Sequence, residues 1–202
     1  MKPSIGVRMI AAGLTSFFAA AATAQMSGNP GGLAADTPGI DTAKPAPDHS
    51  NVQDKLFVRQ AALGGQAEVD LAKMAQSKAN SPGVRDFAQR MMKDHSKAND
   101  ELMRLSRGVN GEIPKQPDPE HATLRAQLQQ AKAAQFDADY MAAQVQDHQK
   151  TANLLLWEIS YGQNQGLTKY AAQMLPVVME HLDMAKQQLA QLSGSAPPPP
   201  PQ

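Results

Sequence analysis

The chain has 202 residues, no cysteine, and equal numbers of basic and acidic side chains, 19 of each. The lack of cysteine excludes disulfides and thiolate metal sites, and zero formal charge argues against nucleic acid as the main partner. Aromatic content is 4%, low for a β-sandwich and ordinary for an Ala-, Gln-, Lys- and Leu-rich helical chain.

The first 24 residues read as a secretory signal peptide. Lys2 and Arg8 precede the apolar run MIAAGLTSFFAAAA, and Ala22-Thr23-Ala24 supplies small residues for cleavage before Gln25. The run is shorter than the ~20 residues that span a bilayer, so a retained anchor is the weaker reading. No cysteine follows the cut, which excludes a lipoprotein signal. The expectation is export to the periplasm. Loss of Lys2 and Arg8 leaves the mature chain two charges negative, and no later segment is apolar enough to cross a membrane.

Residues 25–53 contain GNPGGLAADTPGIDTAKPAPDHS, which has no apolar period and is predicted to be a disordered spacer. Residues 194–202 end in a proline run predicted to form a polyproline II tail. Between them, residues 54–193 form one domain with four long predicted helices. The first covers about Asp54 to Asn80. Ser81 and Pro82 then supply an N-cap and a proline at the first helical position, so the second starts at once and runs to about Arg107, where Gly108 is the expected stop. VNGEIPKQPDP is a loop. A short helix from Glu120 to Ala131 is started by Asp118-Pro119. The third long helix runs from Gln135 to Tyr161, YGQNQG is a turn, and the fourth runs from Leu167 to Leu192.

Short links between the first and second helices, and between the third and fourth, require two antiparallel hairpins. The Gly108–Ala134 connection is long. A helix of this size is ~40 Å long, and the connection either crosses that length, as in bundles with one crossover, or folds beside one end and gives up-down-up-down order. Sequence alone leaves both open.

Each helix carries one apolar stripe at steps of three and four residues. The first presents Phe57, Ala61, Gly64, Glu68, Leu71 and Ala75; the second Val84, Phe87, Met91, His95, Ala98 and Leu102. The third presents Met141, Val145, His148, Ala152, Leu155 and Ile159; the fourth Leu167, Ala171, Met174, Val178, His181 and Ala185. Every stripe is apolar or small except once, at Glu68, His95, His148 and His181. Counted from the two tight turns, Glu68 is level with His95 and His148 with His181, each to within about one residue's rise of ~1.5 Å. All four are therefore expected near mid-bundle under either topology.

A buried polar group without a partner costs roughly 1–3 kcal/mol, so four at one height should serve each other or share an ion. One reading is a Glu–His hydrogen-bond network with water. The sharper one is a metal site of three imidazoles and one carboxylate, a donor set suited to Zn, Cu, Fe or Mn. An acid precedes each histidine, in Asp94-His95, Asp147-His148 and Glu180-His181. Adjacent helix positions lie ~100° apart, so these acids flank the stripe, as outer partners of an imidazole or as solvated ion pairs. Met91, Met141 and Met174 share the histidines' stripes, as core fillers or as thioethers suited to Cu(I). Gly64-Gly65 and Pro176 lie near the site and either shape a cavity or accommodate packing. His49 and His121 receive no role.

No G-x-S-x-G, phosphate loop or zincin H-E-x-x-H occurs, so no enzyme class is indicated. Catalysis at the four-residue site, with Glu68 as a base, is the weakest of three functional readings. The others are metal binding and a metal-free interaction module of the cell envelope.

QAEVDLAK, FAQRMMKDHSKAND, FDADYMAAQVQDHQKTANLL and LPVVMEHLDMAK resemble the bacterial family catalogued as domain of unknown function 4142, over about Asp54 to Leu192. The resemblance implies an exported, ferritin-like antiparallel four-helix bundle, which favours the crossover. It implies no activity. The ferritin-like di-iron pattern needs Glu-x-x-His on two helices. Here Met92, Val145 and Val178 stand three residues before the histidines, so a single-ion site is the expectation rather than a dinuclear centre.

Overall fold

The computed structural model describes residues 49–194, all within one unit. The segments read from sequence as a signal peptide, most of that read as a spacer and nearly all of the proline-rich end lie outside the described residues.

Helix α1 spans Val52–Lys78 and is started by a reciprocal capping box. Asn51 Oδ1 accepts from Asp54 N at 2.8 Å, and the Asp54 carboxylate accepts from Asn51 N at 2.5 Å. Helix α2 spans Pro82–Ser106 and continues into a 3-10 turn, Arg107–Val109. The left-handed residue that ends it is Asn110, at φ 50°, rather than Gly108. Asn, like Gly, tolerates this conformation at modest cost, and the extra turn moves the stop two residues on. Helix α3 spans Pro119–Gln130, with Asp118 accepting from His121 N at 3.0 Å. Helix α4 spans Ala133–Tyr161, and α5 spans Gln165–Leu192 with Asn164 as its cap.

Two aspartates fix the topology. Asp54, at the start of α1, accepts from Gln163 N and Asn164 N beyond the end of α4, each at 3.0 Å. Asp137, near the start of α4, accepts from Asn80 N at 3.0 Å and Ser81 N at 2.7 Å beyond the end of α1. Helices α1 and α4 are thus antiparallel neighbours, and α2 and α5, their hairpin partners, pack on each other. It follows that α2 and α4 run the same way, so the segment between them travels the length of the bundle. Val109 starts that path beside Phe57 and Val58. Arg125 pairs with Asp70 at 2.6 Å, and Leu128 ends it in the cluster of Leu71, Ala72 and Met74. The single crossover is the connectivity expected of a ferritin-like bundle.

The core forms two apolar clusters. One contains Leu71, Phe87, Met91, Tyr140, Met141 and Ala185. The other contains Phe57, Leu102, Leu155, Leu167 and Val178. A fully buried side chain of this size contributes roughly 1.5–3 kcal/mol. Glu68, His95, His148 and His181 fall between the clusters along all four helices. One stripe position departs from expectation: Ile159 is 38% exposed, while Glu158 is fully buried. At a step of three from Leu155, Glu158 turns inward beside Asp54, where the end of α4 meets the start of α1.

Candidate metal centre

Glu68, His95, His148 and His181 are all buried, with 4%, 7%, 1% and 0% of their surface exposed. The three imidazoles form a nearly equilateral group, with ring centroids 5.5–5.6 Å apart. One ring nitrogen of each lies within 4.8 Å of the other two.

The hydrogen bonds assign the tautomers. His148 Nδ1 faces the Gln144 carbonyl at 2.9 Å; a carbonyl only accepts, so Nδ1 carries the proton and Nε2 keeps a lone pair. His181 Nε2 faces Asp94 Oδ2 at 3.0 Å. Burial pulls the Asp94 carboxyl upward, but hydrogen bonds from His181 and Arg90 hold it below its usual range, so it is an anion and His181 Nε2–H donates. The lone pair of His181 is then on Nδ1. His148 Nε2, His181 Nδ1 and His95 Nε2 are all buried with no hydrogen-bond partner.

The rings cannot satisfy one another. A proton on His95 Nε2 serves at most one of the other lone pairs, and no bond between the rings forms. Protonating a ring is opposed as well. Burial, then the charges of His148 and His181, push His95 down to about 3. Burial and His181 push His148 down to about 4, and burial lowers His181 against the pull of Asp94. Three neutral imidazoles thus face one another, each with a buried nitrogen that no protein group satisfies, an arrangement that one cation would satisfy together. Nitrogens bound to one tetrahedral ion at about 2.0–2.1 Å would lie roughly 3.4 Å apart, so small ring rotations would close the observed group.

Glu68 lies on the other side of His148. Its Oε1 is 3.7 Å from His148 Nδ1, not from the lone-pair nitrogen. Its Oε2 accepts from Gln144 Nε2 at 2.7 Å. Burial, then the Asp147 charge, push the carboxyl up to about 8, against the hydrogen bond from Gln144. Glu68 therefore adjoins the triad without being among the groups gathered at ligand distance. Gln144 holds both neighbours, His148 through its carbonyl and Glu68 through its amide. The sequence signal for Gln144 is its place one turn before His148; an isolated glutamine gives no other.

The flanking acids serve partners other than the histidines they precede. Asp94 follows α2 to His181 on α5. Asp147 Oδ2 faces His121 Nε2 at 3.6 Å, and Glu180 pairs with Arg90 at 3.0 Å. Arg90 also bonds Asp94 at 3.2 Å, which completes a Glu180–Arg90–Asp94–His181 chain from surface to core. Close approach of α1 and α2 beside the site depends on Gly65. Asn99 Nδ2 donates to the Gly65 carbonyl at 2.9 Å, and a Cβ on Gly65 would lie 2.0 Å from Asn99 Oδ1.

Fold and site together define an all-helical bundle with one crossover and a buried tri-imidazole cluster at its centre. The chain belongs to the domain of unknown function family DUF4142, whose family model matches residues 40–188. No functionally curated protein matches it. Its fold is similar to a DUF305 fragment from Deinococcus radiodurans, at 15% identity and TM-score 0.63, covering 70% of this chain and 98% of that one. It is also similar to CopM in a Cu(II)-bound form, at 17% identity and TM-score 0.59, covering 68% and 96%. The Ag-bound form of CopM gives 18% identity and TM-score 0.56, covering 68% and 95%.

Proposed function

We propose that this chain is an exported metal-binding bundle of the cell envelope. It holds a single transition-metal ion among His95, His148 and His181, with Glu68 as the adjoining carboxylate. Two observations carry this reading: each of the three imidazoles has a buried nitrogen without a protein partner, and one ring nitrogen of each lies within 4.8 Å of the other two. A metal-free network of the protein's own groups explains the site less well, because none of these three nitrogens has a protein partner.

Among Zn, Cu, Fe and Mn, the donors favour the softer ions. All three are neutral imidazoles, which suit Zn, Cu and Fe, whereas Mn prefers carboxylates and water. The likeness to a bundle that binds Cu(II) and Ag supports the same choice. The nearest charge is the Asp94 carboxylate behind His181, so a monovalent ion leaves less buried charge uncompensated than a divalent one. The chain's own residues hold the ion and exclude water. Asp94 orients His181, and Gln144 orients His148. Export rests on the first 24 residues.

Elemental analysis of tag-free protein purified from the periplasm tests the proposal. One ion per chain is expected. A protein that arrives empty, and takes up neither Cu(I), Ag(I) nor Zn(II) at micromolar concentration, would leave only the metal-free module.

A further inference from the structure

The triad is sealed above and below by apolar clusters, so an ion must reach it from the side. A cavity of about 40 Å³ touches His95 and Glu68, enough for one or a few water-sized bodies. Two surface depressions share walls with it. One is a cleft of about 420 Å³ between α1, α4 and the crossover, which shares Gln60, Gly64, Glu68, Thr151 and Leu154 with the cavity. The other is a groove of about 740 Å³ between α2 and α5, which shares Ala98, Tyr170 and Met174.

We propose that the ion enters through the α1–α4 cleft, past Gly64, and that the carboxylates of this cleft form an outer collecting site for cations. This rests on the triad reading above.

Three observations separate the cleft from the groove. The first is space. A Cβ built on Gly64 meets nothing within 4 Å, so the wall common to cleft and cavity is open where its side chain would stand. On the groove side the shared wall is bolted: Tyr170 is 8% exposed and donates its hydroxyl to the Ala98 carbonyl at 3.2 Å.

The second is charge. The cleft holds Asp118, Glu120 and Asp147 against Lys150 and His121, an anionic surplus even with Glu68 protonated. The groove balances Arg90, Lys97 and Arg104 against Asp94, Asp100 and Glu101. A cleft of one sign concentrates ions of the other.

The third is unmet hydrogen-bonding capacity. Glu68 Oε1 is buried without a hydrogen-bond partner, and Glu68 lines the cleft, whereas Asp147 Oδ2 has only the long 3.6 Å contact with His121 Nε2. Glu68 lines the inner cavity too, so its oxygen stands between the outer acids and His95. His121 pins the mouth. It is half-buried, and its Nδ1 faces Asp118 Oδ2 at 2.5 Å. The Asp147 carboxylate raises it first, then Asp118 adds to the shift, to about 9. It is therefore a cation, which holds the crossover to α4 and is not a metal ligand.

Uptake kinetics test the port with the full mature chain. Cu(I) is presented on a chromophoric chelator without oxygen, and transfer is followed by loss of colour. Gly64→Leu should slow uptake and release together, each by about tenfold, and leave affinity nearly unchanged. Gln60→Trp plugs the same rim from an exposed position and should do likewise. Glu120→Gln should lower the uptake rate and its dependence on ionic strength. Val177→Leu in the opposite groove should change neither rate. Wild-type rates in both plugged variants, or slowing by Val177→Leu instead, would overturn the port while leaving the triad in place. A wild-type protein that takes no Cu(I) from the chelator would remove triad and port together.

Discussion

The ends of the bundle and its middle are both polar inside, and they use hydrogen bonds in opposite ways. At one end, buried Asp54 accepts from the backbone of Asn51, Gln163 and Asn164. At the other, Asp137 accepts from Asn80 and Ser81. Both carboxylates close turns, and backbone donors that helix termini leave over are satisfied there. In the middle, one nitrogen of each of the three imidazoles has no protein partner. The two capping aspartates are structural; the triad nitrogens lack a protein partner, as do the carboxyl oxygens of Glu158 at the Asp54 end. The capping aspartates are expected to stabilise the empty protein, and the histidines to stabilise it little or not at all.

That contrast can be broken by substitution. His148→Leu should weaken ion binding by about a thousandfold, ~4 kcal/mol, and leave the metal-free protein as stable as wild type or more so, since a lone pair without a partner is replaced by apolar volume. Isothermal titration and chemical denaturation report the two effects separately. A metal-free variant several kcal/mol less stable would make the triad structural after all. Asp54→Ala should do the reverse. It strands backbone donors at the α4–α5 turn and should lower stability by about 2–4 kcal/mol, with stoichiometric ion uptake kept by the folded protein.

A smaller effect is expected one step out from the triad. Asp94→Asn removes the charge behind His181 and should cost roughly tenfold in affinity, as outer partners of ligating imidazoles commonly do. A variant with wild-type affinity would detach Asp94 from the site.

The gentlest prediction is in pH, because each contribution spreads over several units. His95 and His148 titrate lower when folded, at about 3 and 4 against 6.5 unfolded. The unfolded chain therefore binds more protons in that window, and metal-free stability should fall as pH drops below about 6.5. Glu158 behaves oppositely. Burial, then the neighbouring Asp54, raise it to about 8 from 4.5. The folded chain binds more protons between those values, so this contribution is lost as pH rises through about 8. Glu68, also raised to about 8, acts in the same direction, so Glu158→Gln should flatten the alkaline limb in part, and His148→Leu should make the acid limb shallower. An unchanged alkaline limb in Glu158→Gln would place its cause elsewhere.

The helices and their stripes were legible in sequence because 3.6-residue periodicity is imposed by burial along the whole element. So were the heights of Glu68, His95, His148 and His181, since two tight turns fix the register of each hairpin. The crossover was not, because so long a connection satisfies either topology until Asp54 and Asp137 are seen to tie α1 to α4. Neither were the true partners of the flanking acids. Asp94 precedes His95 in the chain and bonds His181, a pairing set by how α2 and α5 face each other. Glu158 escaped notice for a related reason: on a straight helix the stripe drifts, and at its last turn the buried step from Leu155 is three residues rather than four. His121 is placed by the crossover, which no local pattern reveals.

The central claim is that His148 Nε2 and His181 Nδ1 carry free lone pairs and, with His95 Nε2, bind one ion. Nitrogen-15 NMR of the histidine rings, recorded through a titration with Ag(I), tests it most directly. The account predicts that the metal-free protein shows His148 protonated on Nδ1 and His181 on Nε2, and that those three nitrogens shift together to an end point at one ion per chain. Shifts confined to His49 or His121, or triad nitrogens that stay unmoved as Ag(I) is added, would contradict it.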